Sequence, residues 1–397
     1  MRISTAGMHE ALLARLMERT VALERTQNQL ASGKRILTPA DDPSGAVRAL
    51  DIDRALAESQ QYARNIDAAT NRLSLEEQTL ANTTSLLQRV RDLIVQANNA
   101  PLGQNEREQI ATEIESRLRE LMDLANTRDA TGEYLFGGYQ TQSQPFVLSG
   151  DTVSYKGDQG VRLIQTGPTQ RVADSHSGFD VFMSIIEGNG TFVTAADPAN
   201  TGSGMIDAGH VINPNAWIAD TYTLTFTSPT DWEVTDSNGD PVANGTYSSP
   251  GTIEFLGVQV TLSGAPAAND TFTIRSSAKQ DIFTTMSQLM DTLRSPIATD
   301  AQRAQVATRL GTALGQIDRA LDHVSSVRAE VGARLSSLEQ AEDTRLDREL
   351  EMQRSLSELR DLDYAEAVTR LNLQLAGLEA AQASYARLTQ LSLFDYL

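Results

Sequence analysis

Between Gly45 and Pro101 the chain contains neither glycine nor proline, and after Pro296 its last 101 residues contain no proline. No other feature constrains the fold as strongly, because these are the two residues that most readily end a helix. Within the first stretch Ile66, Leu73, Leu80, Leu87 and Ile94 recur at intervals of seven. That spacing predicts a narrow apolar seam on one long helix, roughly 80 Å if unbroken at 1.5 Å per residue. Asp42 can accept hydrogen bonds from the free N–H groups of its first turn, and Pro43 suits the first helical position. Ala100-Pro101-Leu102-Gly103 should break it, and a second helix, about Glu106 to Ala125, carries Ile110, Ile114, Leu118, Leu121 and Met122 on one face.

Helical patterning also marks both ends. Leu16, Leu23 and Leu30 repeat every seven residues near the start. Beyond Ser277, Leu314, Ile317, Leu321, Val324, Val331, Leu335 and Leu338 form a stripe interrupted by Arg328, and Tyr364, Val368, Leu371, Leu375, Leu378, Gln382 and Tyr385 form another. In between the pattern changes. Gly132, Gly137 and Gly138 interrupt the helical period, and short β-like runs follow at Thr152–Tyr155 and Val161–Gln165. Thr221–Phe226 alternates polar and apolar as a half-buried strand does. Asn238-Gly239 and Asn244-Gly245 predict turns, and Ile253–Phe255, Val258–Leu262 and Thr271–Ile274 complete a β region holding Trp217 and Trp232.

The predicted fold is mainly α with an inserted β domain. The N- and C-terminal regions should pack along each other as a long antiparallel helical rod with terminal coiled-coil segments, and the β domain should project from it. The expected divisions are a terminal helical domain (1–40 with 365–397), a helical rod (41–187 with 278–364, including a β-hairpin region near 132–175) and the β insertion (188–277). Thr20 and Gln27 occupy positions complementary to Leu16, Leu23 and Leu30, so the terminal seam offers little apolar surface. A helix of that kind is marginal alone and gains order when further copies cover it. An ordinary coiled-coil arm of a dimer would carry the same pattern.

Charge and composition exclude several functions. The net charge is −19, and Val172 to Ile274 holds twelve acidic residues and no Lys or Arg. Such a chain repels phosphate backbones, so nucleic acid and anionic membrane are poor partners. With no cysteine there is no disulfide, thiol nucleophile or Cys-ligated metal. The opening residues lack the apolar core of a secretory signal, and no stretch approaches the ~20 apolar residues of a membrane span.

Gln27-Asn-Gln-Leu-Ala-Ser-Gly-Lys-Arg-Ile36 followed by Pro39-Ala-Asp-Asp-Pro43 resembles the N-terminal signature of the flagellin family of bacterial flagellar axial proteins. Gln382-Ala-Ser-Tyr-Ala-Arg-Leu388 with Leu391-Ser-Leu-Phe-Asp-Tyr-Leu397, Tyr134-Leu-Phe-Gly-Gly138 and Met1-Arg-Ile-Ser-Thr5 are similar to its hook-associated members. Pro39, Pro43 and the opening depart from the filament subunits. The resemblance does not extend to Phe192–Ser276. It implies a structural subunit at the hook–filament junction, in the extracellular flagellum, exported through the flagellar type III apparatus without a cleaved signal peptide. The partners it implies are the first hook-associated protein, flagellin, further copies of itself in a ring, and a cytoplasmic export chaperone on the C-terminal helix. Leu16, Leu23, Leu30, Leu371, Leu375, Leu378, Tyr385 and Leu388 are the expected assembly residues; burial inside the single chain is their alternative reading.

Two other functions stay open at this point, a divergent flagellin and a ligand-binding or enzymatic module in the β insertion. No catalytic, cofactor or metal site is expected. His9-Glu10 begins a zinc-protease motif, but Leu13 stands where its second histidine belongs. Asp236-Ser-Asn-Gly-Asp240 fails as a calcium loop because the glycine comes too early and Tyr247 replaces the bidentate glutamate. His176, His210 and His323 look isolated, Asp361-Leu-Asp363 reads as a solvated helix face, and Arg15, Arg19 and Arg25 read as partners of nearby acids.

Overall fold

The computed structural model describes residues 5–99, 102–150 and 152–394. Met1–Ser4, the predicted breakers Ala100 and Pro101, Asp151, and Asp395–Leu397 lie outside the described residues. Helices α1 (Thr5–Ser32), α2 (Pro43–Asn99) and α3 (Gln104–Ala125) precede a β-rich region, and α4 (Ile282–Arg294), α5 (Asp300–Arg360) and α6 (Tyr364–Phe394) follow it. The chain forms two compact units, residues 1–64 with 341–397 and residues 65–340.

α2 is a single helix of 57 residues. Its start follows the cap chemistry: the Gly45 N–H donates to Asp42 Oδ1 at 2.9 Å, which holds the Asp42 carboxyl below its usual pKa range. In the larger unit Ile66, Leu73, Leu80, Leu87 and Ile94 are all buried, the last four almost completely. On α5 the seven-residue series Ile317, Val324, Val331 and Leu338 is buried, whereas Leu314, Leu321 and Leu335 are half-buried. Ion pairs fix these two helices antiparallel. Arg91 of α2 meets Asp318 of α5 at 2.6 Å, and Glu77 meets Arg328 at 2.6 Å. Arg328, the residue that interrupts the α5 stripe, therefore pairs across the helix interface. α3 packs on α4, with Arg107 donating to the Ser295 carbonyl at 2.8 Å.

The β region begins with two hairpins, β1 (Phe146–Ser149) with β2 (Thr152–Tyr155), and β3 (Leu163–Gln165) with β4 (Arg171–Ala173). Phe136, Phe146, Phe182 and Phe283 pack together, neighbouring ring centres 5.2 to 6.1 Å apart, and join the first hairpin to α4. This explains Tyr134–Gly138. Its first three side chains are buried, and Gly138 has φ +68° beside the Asp158 backbone, where a Cβ would lie 2.4 Å from the carbonyl oxygen.

A two-residue pairing of β5 (Ile185–Ile186) with β15 (Lys279–Gln280) forms the neck of the insertion. Beyond it, β6 (Phe192–Ala196), β9 (Thr221–Phe226), β10 (Asp231–Thr235), β11 (Pro241–Thr246) and β14 (Thr271–Ser276) form one antiparallel sheet, in the order β11-β10-β9-β14-β6. A second sheet, β12-β13-β7 with β8 also on β13, uses Gly251–Phe255, Val258–Ser263, Met205–Ile206 and His210–Val211. The strand alternation puts Tyr222, Leu224 and Phe226 in one core with Val258, Val260 and Leu262. Trp232 belongs to that core and Trp217 packs against it.

Two expectations need correction. Asn238-Gly239 is a turn, closed by the Asp236 N–H donating to the Asp240 carbonyl at 3.0 Å, but Asn244-Gly245 lies inside β11. Gly245 pairs with Trp232, whose indole covers it so closely that a Cβ would lie 2.7 Å from the ring. The glycine serves aromatic packing instead of a turn. Asp361-Leu-Asp363 is likewise no helix face but the break between α5 and α6, with Leu362 buried and Asp363 accepting the first free N–H groups of α6.

Replacing buried Leu80 by Ala should cost about 3 kcal/mol in urea unfolding, whereas the same change at Leu375, 38% exposed, should stay within ~0.5 kcal/mol. The neck yields a second expectation. The Glu187 N–H donates to the Ala278 carbonyl at 3.0 Å, so the two ends of the insertion are adjacent. A short Gly/Ser linker in place of residues 188–277 should leave helical circular dichroism per helical residue and cooperative melting intact. Loss of cooperative melting would show that the insertion supports the helices.

Candidate assembly surface

The smaller unit is built on antiparallel packing of α1 and α6. A Cβ at Gly33 would meet the Tyr364 hydroxyl, and one at Gly377 would meet the Arg19 guanidinium, so residue numbers rise along one helix as they fall along the other. The segment resembling a flagellin signature forms the corner after α1. Gly33, with φ +70°, ends the helix by donating its N–H to the Gln29 carbonyl at 2.9 Å. Gln29 is buried, and its side-chain amide donates to the Arg35 carbonyl at 2.7 Å.

The corner is pinned to the α5–α6 break. The Arg35 N–H donates to the Arg360 carbonyl at 2.7 Å, and the Leu362 N–H to the Gly33 carbonyl at 3.0 Å. Asp41 accepts from the N–H groups of Thr38 and Leu37 and pairs with Arg25 at 2.7 Å. Those two N–H groups, then the Arg25 charge, hold its carboxyl below the usual range. The polar residues of this corner thus build the turn.

Among the expected assembly residues whose side chains are described, only Leu23 is buried in the single chain. Leu16, Leu30, Leu371, Leu378 and Tyr385 are half-buried, and Leu375 is exposed. The side chain of Leu388 lies outside the described residues. Thr26 and Gln29 fill buried places beside Leu23, so the seam is polar where a self-sufficient coiled coil would be apolar. The structure also exposes apolar residues that the seven-residue spacing passed over. Leu13, Met17 and Val21 form a four-residue series on α1, with Met17 and Val21 about two-thirds exposed. On α6, Leu373, which lay outside the predicted stripe, is 70% exposed, and Tyr364 and Val368 of that stripe are exposed as well. The i, i+4 recurrence of Leu13, Met17 and Val21 was the signal in the sequence.

Exposed apolar residues in this number make the helix pair a candidate interaction surface. Among the described residues no group of three or more His, Asp or Glu side chains is placed to hold a metal, and no helix is long and apolar enough to cross a membrane.

Comparison with known proteins assigns the fold. Residues 3–141 match the bacterial flagellin N-terminal helical region, and residues 314–397 match the bacterial flagellin C-terminal helical region. Residues 195–276, where the sequence alone showed only a β pattern, match the D2-like domain of flagellar hook-associated protein 1. Flagellar hook-associated protein 3 of Salmonella typhimurium is 24% identical over 396 residues, spanning 100% of this chain and 99% of that protein. The crystal structure of Xanthomonas campestris FlgL is 33% identical with a TM-score of 0.74, over 77% of this chain and 99% of that one. The flagellar junction protein FlgL of Legionella pneumophila is 30% identical with a TM-score of 0.72, over 79% and 100%. With its flagellin-like helical ends, its inserted β domain and these relatives, the chain belongs to the flagellar hook-associated protein 3 (FlgL) family and is a structural protein of the bacterial flagellum at the hook–filament junction.

Proposed function

We propose that this subunit joins a hook-associated protein on one side to flagellin on the other, assembling with its own copies through the terminal helices, and that it acts through surfaces and not through catalysis. One observation carries the reading: α1 and α6 leave Met17, Val21, Val368, Leu373 and Leu375 exposed while their mutual seam holds Thr26 and Gln29. Such a helix pair completes its burial only against further chains. Axial polymers use unlike faces above and below each subunit, and residues 1–40 with 365–397 are the proposed assembly domain, the insertion 188–277 being secondary.

Export through the flagellar type III apparatus, with a chaperone covering the C-terminal helix until assembly, agrees with the same exposed surface. A chaperone and a neighbouring subunit would compete for Leu371, Leu375, Leu378 and Leu388. A deletion strain examined by electron microscopy should show hooks without filaments; normal filaments would remove the proposal. Purified chain that grew long filaments would indicate a filament subunit instead.

The seam can be tested within the deletion strain. Leu375→Asp with Leu378→Asp should give bare hooks and flagellin lost to the medium, with the melting temperature of the larger unit unchanged. Each buried leucine contributes about 1.5–3 kcal/mol, and a buried unpaired carboxylate adds its desolvation cost, repeated in every copy. Met17→Asp with Val21→Asp should act the same way, because both residues are exposed in the single chain. Secretion of each variant, measured in parallel, separates assembly from chaperone capture. Normal filaments would sink the assignment, and a lowered melting temperature would return the leucines to the interior.

A further inference from the structure

His176 is not isolated. It lies between β4 and a single π-helical turn at Phe179–Met183, and two helices reach its ring from either side. Glu76 of α2, fully buried, places Oε1 2.7 Å from Nδ1 and accepts the His176 backbone N–H at 3.2 Å. Glu330 of α5 places Oε2 3.2 Å from Nε2. A neutral imidazole carries one N–H and cannot donate to both carboxylates, whereas the imidazolium donates to both. A neutral ring would also set a lone pair against a carboxylate oxygen.

The surrounding charges do not offer Glu76 a substitute. On α2, Arg72 turns to Asp129, Glu133 and Asp174. Asp174, on the histidine's own segment, is paired with Arg162 at 2.6 Å. On α5, Arg334 lies 3.7 Å from Glu330 and donates to the Ser175 carbonyl at 3.4 Å, while Arg328 is taken by Glu77. Glu76 Oε2 is buried without a hydrogen-bond partner. If His176 loses its proton, the buried Glu76 carboxylate loses its charged partner, a costly state.

We propose that His176 is a pH-sensitive latch that, when protonated, ties the segment between β4 and the π turn to both α2 and α5. Two residues on, the Gly178 N–H donates to the Phe136 carbonyl at 2.9 Å, so the latch holds the edge of the aromatic cluster at the root of the insertion. Burial pulls the imidazole pKa down, but the hydrogen bond and charge of Glu76, helped by Glu330, outweigh it and leave the value raised above 6.5. The folded pKa exceeds the unfolded one, so the latch's stability is complete below about pH 6.5 and is lost as pH rises through the folded value.

The test uses the full-length chain. Imidazole titration by NMR, with His176 assigned by its absence in His176→Gln, should give a midpoint above 6.5. Glu330→Gln, at a side chain 59% exposed, should lower that midpoint. Hydrogen-exchange protection of amides 174–181, corrected for intrinsic rates, should fall up to about tenfold per pH unit between 6.5 and the midpoint, and that fall should be absent in His176→Gln. A wild-type midpoint at or below 6.5, or the same pH-dependent fall in His176→Gln, overturns the latch. Should His176→Gln fail to fold, Glu330→Gln decides, and a midpoint it leaves unmoved overturns the proposal.

Discussion

The larger unit depends on burying one stripe of α2. Ile66, Leu73, Leu80, Leu87 and Ile94 sit at seven-residue intervals on a helix that no glycine or proline interrupts after Gly45, and all five are withdrawn from water. A stripe that narrow cannot form a globular core by itself. It needs apolar rows of similar length laid beside it, and the seven-residue series on α5 supplies one of them. Crossing ion pairs such as Arg91–Asp318 and Glu77–Arg328 lie beside the stripe and fix which turns of the two helices face each other. Because they are partly exposed they add little energy; their contribution is register.

The smaller unit contrasts with this. Its helices obey the same periodicity, yet the positions flanking Leu23 are Thr26 and Gln29, and the apolar residues left over face outward. The difference between the units is one of completeness: the first buries its seam within the chain, and the second holds back apolar surface. The proposed role uses both properties, a body that survives alone and ends that gain from company. The corner at Gly33–Asp42 stands between α1 and α2 and is made by backbone and carboxylate hydrogen bonds that need no partner chain.

Long periodic elements were legible in the sequence because a seven-residue stripe and the absence of breakers are local facts. The Asp42–Pro43 helix start, the α2 seam and the alternation of Thr221–Phe226 all reappear in the structure. Features decided by distant residues were not legible. Asn244-Gly245 carries turn chemistry, but Trp232 on the neighbouring strand claims the glycine for packing. Asp361 and Asp363 look solvated because they are, yet their place is a helix break pinned to Gly33, more than three hundred residues earlier. His176 appeared alone because its partners, Glu76 and Glu330, are 100 and 154 residues away along the chain. In the assembly surface, the seven-residue rule found the seam and passed over Met17 and Val21, whose four-residue spacing marks the adjoining face.

On the proposed function, α1 and α6 complete their burial only in the assembled flagellum. Hydrogen exchange on the free chain and on the chain incorporated at isolated hook tips measures this most directly. Amides of α6 around Leu371 to Leu378 should exchange quickly in the free chain and gain about a hundredfold protection on incorporation, while amides around Leu80 in α2 should be slow in both states. Equal protection of α6 before and after incorporation would contradict it.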